Sequence, residues 1–168
     1  VYVARRTRLD KTYELDAESR HLVLLCENET GYRNLSYLVS QAFVDGFYIK
    51  PRIDLDLLRR HSEGLIGLSA CLAGEIPRRL VNGDYDGAKE YALTMQDILG
   101  EGNFYLELQD HGIPQQITVN RGLLRLHQET GIPLVCTNDA HYLRKEDAES
   151  HDVLLCIQTG KTVDDENR

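Results

Sequence analysis

The chain has little of what a protein needs to grip duplex DNA over a whole face. Its 168 residues carry 19 Lys and Arg against 27 Asp and Glu, a formal net charge of −8, whereas such binding requires clustered cations that displace counterions from the phosphates. Local contacts to a strand end stay open. No apolar stretch approaches the roughly 20 residues that cross a bilayer, and no basic segment followed by an apolar one stands at the start. Membrane insertion and secretion are therefore not expected. The four cysteines, at 26, 71, 136 and 156, include no CxxC pair. Three lie inside apolar runs (LLCEN, LVCTN, LLCIQ), which predicts reduced, buried thiols and a cytoplasmic location. There is no Gly-rich phosphate loop of the dinucleotide or Walker type, so a Rossmann cofactor site has no support.

What is present suffices for a core. Hydrophobic side chains make up 42% and charged ones 27% of the chain, with no long polar tract, as in one globular domain. VYVARR opens as the tail of a strand and TVDDENR stops without a capping element. Both ends predict a piece of a longer chain, holding most of a single domain without its first strands.

Val1 to Ala4 reads as that strand tail, and Arg5 to Arg20 as a charged, flexible loop. HLVLLC, from His21, reads as one buried strand. Asn28, Thr30 and Gly31 then supply helix start signals, and Leu35, Leu38, Val39, Ala42 and Phe43 recur at helical spacing until Gly46. A short helix is predicted over Ile53 to Arg60, and a strand at LIGLSA, 65–70. Helices follow over Ile76 to Val81 and Tyr85 to Leu99, the second with Ala88, Tyr91, Ala92, Met95 and Ile98 on one side. NFYLEL, 103–108, alternates as a strand. Pro114 suits a first helical turn, and that helix runs to a stop at Gly131. Leu134 to Cys136 reads as a fully buried strand, because a short apolar run launched by Gly-Ile-Pro suits a sheet covered on both faces. Glu146 to Gln158 reads as a final helix with Val153, Leu154 and Ile157 on its buried side. Five strands alternate with helices, which calls for parallel strands with right-handed crossovers. An incomplete barrel and an open doubly wound sheet both fit.

Three of these strands end in groups able to do chemistry: Cys71, the pair Asp110 and His111, and the pair Asp139 and His141. Carboxyl ends of parallel strands share one rim, so residues distant in sequence are predicted to meet there. Asp139 and His141 stand two apart, and in extended backbone their side chains leave on the same side. An Asx turn followed by a surface His is the alternative. Cys71 among Ser69, Ala70 and Ala73 also reads as a small packing residue, and His21 as a hydrogen-bonded edge histidine. His61, His127 and His151 fall in helical patterns and read as solvated or structural. Glu107 alternates with Leu106 and Leu108, so it points either toward the rim or at a helix.

The strings HLVLLCENETGYRNLSYLVS, GLIGLSACLAGEIP, GNFYLELQDHG, GIPLVCTNDAHYL and DAESHDVLLCIQTGKT resemble the PHP (polymerase and histidinol phosphatase) domain of bacterial DNA polymerase III alpha subunits. The resemblance covers nearly the whole chain. It implies an α/β fold, a distorted TIM-like β/α barrel that would be incomplete here, whose strand ends bind up to three metal ions. By motif it makes His21, Cys71, Asp139 and His141 metal ligands, with Asp110, His111 and Glu107 as candidates for contacts near the chemistry. Imidazole, carboxylate and thiolate together suit Zn²⁺, with Mn²⁺ or Fe as rivals. The family's opening His-x-His strand and the ligands near it have no counterpart in this sequence. The implied activity is DNA-directed DNA polymerisation by the parent chain, using Mg²⁺ at a site outside these residues, with a metal-dependent 3′-5′ exonuclease as the contribution of the PHP part. The implied partners are primer-template DNA and replicase subunits such as a proofreading exonuclease or a sliding clamp. Two alternatives stand beside this: a non-catalytic scaffold that docks the proofreading partner, and a stand-alone phosphoesterase.

Overall fold

Short apolar runs build two four-stranded sheets. In the first, β1 (Tyr2–Ala4) runs antiparallel to β2 (Ser19–His21) and parallel to β5 (Lys50–Ile53), while β4 (Phe47–Tyr48) folds back on β5 as a hairpin. In the second, β3 (Val23–Cys26) is antiparallel to β6 (Leu65–Leu68), which lies parallel to β7 (Phe104–Leu108), and β7 lies parallel to β8 (Leu134–Cys136). This structure is a computed structural model that describes residues 1–165, in two compact units, Val1–Thr137 and Asn138–Arg168.

The helices form where the sequence supplies caps and one apolar face. α1 (Tyr13–Asp16) is a single turn, and α2 (Glu29–Val44) starts where the Asn28 side chain accepts the Gly31 N–H. α3 (Leu55–Arg60) starts at Asp54, whose carboxylate accepts the Leu57 N–H. α4 (Glu75–Val81) and α5 (Tyr85–Leu99) pack on each other, and α6 (Pro114–Thr130) carries Pro at its start and left-handed Gly131 at its end. These are the positions where each residue's backbone preference costs least. Leu38, Ile53, Leu58, Leu65, Ile76, Met95, Phe104, Leu106, Leu123 and Leu126 are all buried to under 2% exposure and join in one core cluster. Each such side chain contributes about 1.5 to 3 kcal/mol on leaving water.

Several expectations change. The strands are not all parallel, and among the described residues eight form where five were expected; HLVLLC divides at Leu22, so that β2 and β3 serve different sheets. Leu22 is itself buried, and its backbone N–H donates to the Val1 carbonyl. An uninterrupted apolar run hides such a break because both halves and the link are apolar. β8 is an edge strand, half-buried and exposed at Cys136, because among the described residues only β7 flanks it. The free thiols of Cys26 and Cys136 are exposed, not buried.

The charged stretch 5–20 is ordered from below. The Arg52 guanidinium, fully buried, donates to the carbonyls of Arg8, Asp10, Asp16 and Gly46, and buried Asp16 pairs with Arg6. In the second unit a short 3₁₀ turn, Lys145–Asp147, precedes α7 (Ala148–Thr159), which ends at left-handed Gly160. Val153, Leu154 and Ile157 are 43%, 62% and 73% exposed, so the expected buried side is absent and Cys156 is the buried residue of this helix.

Candidate functional site

β6, β7 and β8 are parallel neighbours, so their carboxyl ends lie along one rim. After β6 the chain turns sharply. Ala70 adopts a left-handed conformation, φ 65°, and the Gly74 N–H closes a turn onto the Cys71 carbonyl. A Cβ on Gly74 would sit 2.2 Å from the Ser69 carbonyl oxygen, so this turn requires glycine there. His21, at the end of β2, is stitched to the turn: its N–H donates to the Ala73 carbonyl, and His21 forms a parallel bridge with Gly74. The result brings Cys71 Sγ within 3.6 Å of His21 Nδ1. The edge of the Tyr2 ring packs against the imidazole at 5.2 Å, and Lys50 Nζ lies over the Tyr2 ring.

The pair has the geometry of one edge of a zinc ligand set. With Zn–S near 2.3 Å and Zn–N near 2.0 to 2.1 Å, two ligands at the tetrahedral angle stand about 3.5 Å apart. The observed separation of 3.6 Å matches that edge. Thiolate and imidazole are also the donor types that tetrahedral zinc prefers. Two donors do not make a site, and among the described residues no group of three or more His, Cys, Asp or Glu is placed to hold an ion.

Asp139 and His141 belong to the second unit. Asp139 takes a left-handed φ of 45°, and its carbonyl lies 2.7 Å from His141 Nδ1. The backbone there is not extended, so the same-side argument for these two side chains does not apply. The His151 ring lies 5.9 Å from that of His141 and 5.3 Å from that of Tyr142. His151, predicted to be solvated or structural, is thus an aromatic packing partner of a candidate ligand.

Asp110 is exposed and accepts the Gly112 N–H in a turn. His111 is held by Gln116, a residue 4% exposed, through two contacts of 2.8 Å. The His111 backbone N–H can only donate, so the Gln116 oxygen must face it and the Gln116 amide must face Nδ1. Nδ1 is therefore an acceptor, and the ring's own proton sits on Nε2. His111 offers its neighbours a hydrogen-bond donor.

Behind the rim lies a polar layer that sequence reasoning largely missed. Glu107, 6% exposed, accepts the Ala70 N–H, the Thr137 hydroxyl and the Gln109 side-chain amide. Ser69 Oγ accepts the Glu107 N–H, and Asn120 donates to the Gln109 carbonyl. Glu107 thus points at the rim, not at a helix. Ser69, Gln109 and Thr137 each directly follow a strand, so the rim rule that singled out Cys71 and His111 applies equally to them. A cavity of about 10 Å³ between Cys71, Glu107, Gln109, Gln116 and Asn120 is close to one water in size.

A roomier cavity, about 370 Å³, lies away from these residues, among Arg5, Arg6, Arg20, Asp54, Glu75 and Tyr91. Two of its cations are matched by carboxylates: Arg6 by Asp16, and Arg20 by Glu18 and Glu75. The Arg20–Glu75 pair ties the first sheet to α4.

The profile of the family described as PHP domain matches residues 1–111. The chain is 45% identical over 169 aligned positions to DNA polymerase III subunit alpha of Treponema pallidum (strain Nichols), covering 100% of this chain and 14% of that protein. The subunit of the same name from Borreliella burgdorferi is 45% identical over 168 positions, covering 99% of this chain and 15% of its own length. That of Thermus aquaticus is 45% identical over 169 positions, covering 99% and 14%. The chain thus spans about one-seventh of the length of the curated relatives it matches.

Proposed function

Because the chain belongs to the PHP domain family, we propose that it is the PHP region of a bacterial replicative DNA polymerase alpha subunit, and that this region contributes metal-dependent hydrolysis of a DNA 3′ end. The observation that carries this reading is the approach of Cys71 Sγ to His21 Nδ1 at 3.6 Å, a tetrahedral ligand edge at the end of a strand. His21 with Cys71, and separately Asp139 with His141, are assigned as metal ligands, with Zn²⁺ as the first choice and Mn²⁺ or Fe as rivals. The two sheets are taken as parts of a distorted β/α barrel, and the working location as the cytoplasm. Primer-template DNA and the other replicase subunits are the partners that follow from this reading.

His21 and Cys71 would hold a divalent ion, which when bound would lower the pKa of a water toward neutrality and polarise a phosphodiester. The chain's own residues do the rest. Gln116 holds the His111 ring in one orientation by accepting its backbone N–H and facing Nδ1, so that the ring is placed to serve as a hydrogen-bonding group at the rim, not as a proton donor. Asp110, exposed beside it, lies on the same rim.

The test is release of nucleotides from a 3′-mismatched primer by the parent polymerase, with Zn²⁺ or Mn²⁺ supplied. Cys71→Ala and Asp139→Ala should each lower that release by on the order of a hundredfold, without altering primer extension. Release unchanged in both variants refutes the catalytic reading.

A second reading has its own observation. Tyr32, Val39 and Phe43 line one exposed face of α2, and the Phe43 ring stacks on Phe47 of β4 at 6.4 Å. An apolar strip of this kind suits docking of a replicase subunit. Intact assembly with Phe43→Asp and Phe47→Asp excludes it.

A further inference from the structure

We infer that Glu107 is the positioning residue of the His21 and Cys71 pair, acting by reach and not by charge. Ala70 holds a left-handed φ of 65°, which a residue with a Cβ adopts only when its surroundings impose it. The imposing contact is the Glu107 carboxylate, whose Oε2 accepts the Ala70 N–H at 2.9 Å. Cys71 is the next residue, so the direction of its side chain follows directly from the Ala70 dihedrals. Glu107 is in turn held from three sides. Its own N–H donates to Ser69 Oγ, and its other oxygen accepts from Thr137 and Gln109. One buried side chain therefore connects the carboxyl ends of β6, β7 and β8 and fixes the turn that carries the thiol. Three donors converge on the carboxylate, so its orientation is determined.

The consequence for the site is specific. Without the contact at Ala70, the turn is free to relax to an ordinary negative φ, and Cys71 Sγ leaves the neighbourhood of His21 Nδ1. No contact of Glu107 with His21 or Cys71 is needed. The ligand assignment of these two residues enters only the metal measurement below, which is where this inference rests on the proposed function.

Two conservative substitutions separate reach from charge. Glu107→Gln keeps the length and one oxygen for the Ala70 N–H, and its new amide can donate to Thr137 and to a reoriented Gln109. Glu107→Asp keeps the charge but withdraws the carboxylate by one methylene from Ala70. The first readout needs no metal: exchange of the Ala70 amide proton, followed by NMR on the purified chain, with Leu106 as an internal reference for folding. In Glu107→Gln the Ala70 rate should stay near that of the unmodified chain. In Glu107→Asp it should rise on the order of tenfold or more while Leu106 stays protected, as for local opening of one hydrogen bond. The second readout is Co²⁺ titration, in which a bound thiolate gives a charge-transfer band. Glu107→Gln should retain the band and Glu107→Asp should weaken it by about tenfold in affinity.

Normal Ala70 exchange in Glu107→Asp overturns the inference, and so does accelerated exchange in Glu107→Gln, since either outcome removes reach as the cause. If the unmodified chain gives no Co²⁺ band, the metal reading of this pair fails, and the exchange rates still decide the role of Glu107. Ala70→Gly supplies a rescue, because glycine takes positive φ without strain. Added to Glu107→Asp, it should restore the Co²⁺ affinity at least partly, and no recovery counts against the inference.

Discussion

Replacing Arg52 by Met should release the segment that spans residues 5–18 and destabilise the first unit by about 3 kcal/mol. The Arg52 side chain is completely buried and donates to four carbonyls, those of Gly46 and Asp16 at 3.1 Å, Arg8 at 3.0 Å and Asp10 at 2.9 Å. Hydrogen bonds from a charged donor contribute about 1.5 to 3 kcal/mol each, a gross figure near 6 to 12 kcal/mol. Two effects reduce it. Methionine escapes the desolvation penalty of a buried guanidinium, several kcal/mol. The freed carbonyls also belong to a peripheral segment that can swing into water and rehydrate, so the loss is capped near the free energy of docking that segment. About 3 kcal/mol remains, equivalent to a fall of roughly 6 to 12 °C in melting temperature for a chain of this size. Lysine has three donors on one nitrogen and reaches fewer of these carbonyls, so Arg52→Lys should cost about half as much. The assay is thermal unfolding followed by circular dichroism, with limited trypsin digestion alongside. In the Met variant, cleavage after Arg8 and Lys11 should precede cleavage elsewhere. A melting point within 2 °C of the unmodified chain, or unchanged cleavage at those sites, would refute the claim that Arg52 organises the segment.

Gly31→Ala should cost more than about 3 kcal/mol in urea unfolding. Its Cβ would stand 1.8 Å from the Gly64 carbonyl oxygen, an immovable backbone atom. Loss of the neighbouring cap, in Asn28→Ala, should cost only about 1 kcal/mol, and the contrast between the two checks that backbone approach dominates there. Acid should destabilise the first unit through Asp16. The Arg6 guanidinium hydrogen bond holds its carboxyl at about 2 against an ordinary value of 3.8, with burial opposing and the Thr12 N–H and Arg52 adding to the depression. A folded pKa below the unfolded one means stabilisation present in full above the unfolded value and lost as pH falls through the folded one. The melting difference between the unmodified chain and Asp16→Asn should therefore shrink between pH 4 and pH 2, and a constant gap contradicts the assignment.

The helices were legible because their signals are local. Tyr85 to Leu99 matches its predicted bounds, since Asp84 caps one end, Gly100 ends the other, and Ala88, Ala92, Met95 and Ile98 make one buried face. Pro114 and Gly131 bracket α6 in the same way. Strand direction was not legible. Nothing in LLCEN or LIGLS states that Val23 faces Leu68 in antiparallel register, because pairing is decided between segments some forty residues apart. Helix α7 shows the complementary limit: the spacing of Val153, Leu154 and Ile157 defines an apolar face, but periodicity does not specify what covers it. The charged stretch 5–20 was read as flexible for a related reason. Its order comes from Arg52, a charged residue in a strand that composition would place in solvent, and only the four carbonyls that it meets account for its burial.

The site divides along the same line. The four ligand assignments came from resemblance of strings, and spacing alone left each of them open to a packing role. Geometry then treats the members differently. His21 and Cys71, fifty residues apart, face each other at 3.6 Å because a left-handed alanine, a required glycine and a strand-to-turn bridge all converge on one place. That is local strain at Ala70 maintained by a buried acceptor, and strain of this kind persists where surrounding contacts over-determine it. Glu107 supplies those contacts, yet in the sequence it is only a charged residue in an apolar strand. A buried carboxylate with three donors and no ion pair among the described residues is costly to desolvate. A packed leucine at that position would serve the core at less cost, so the carboxylate is understandable only through what it orients. The polar layer beneath the rim therefore argues that the turn at Cys71 is held in a defined direction, which a thiol serving only to fill space would not need.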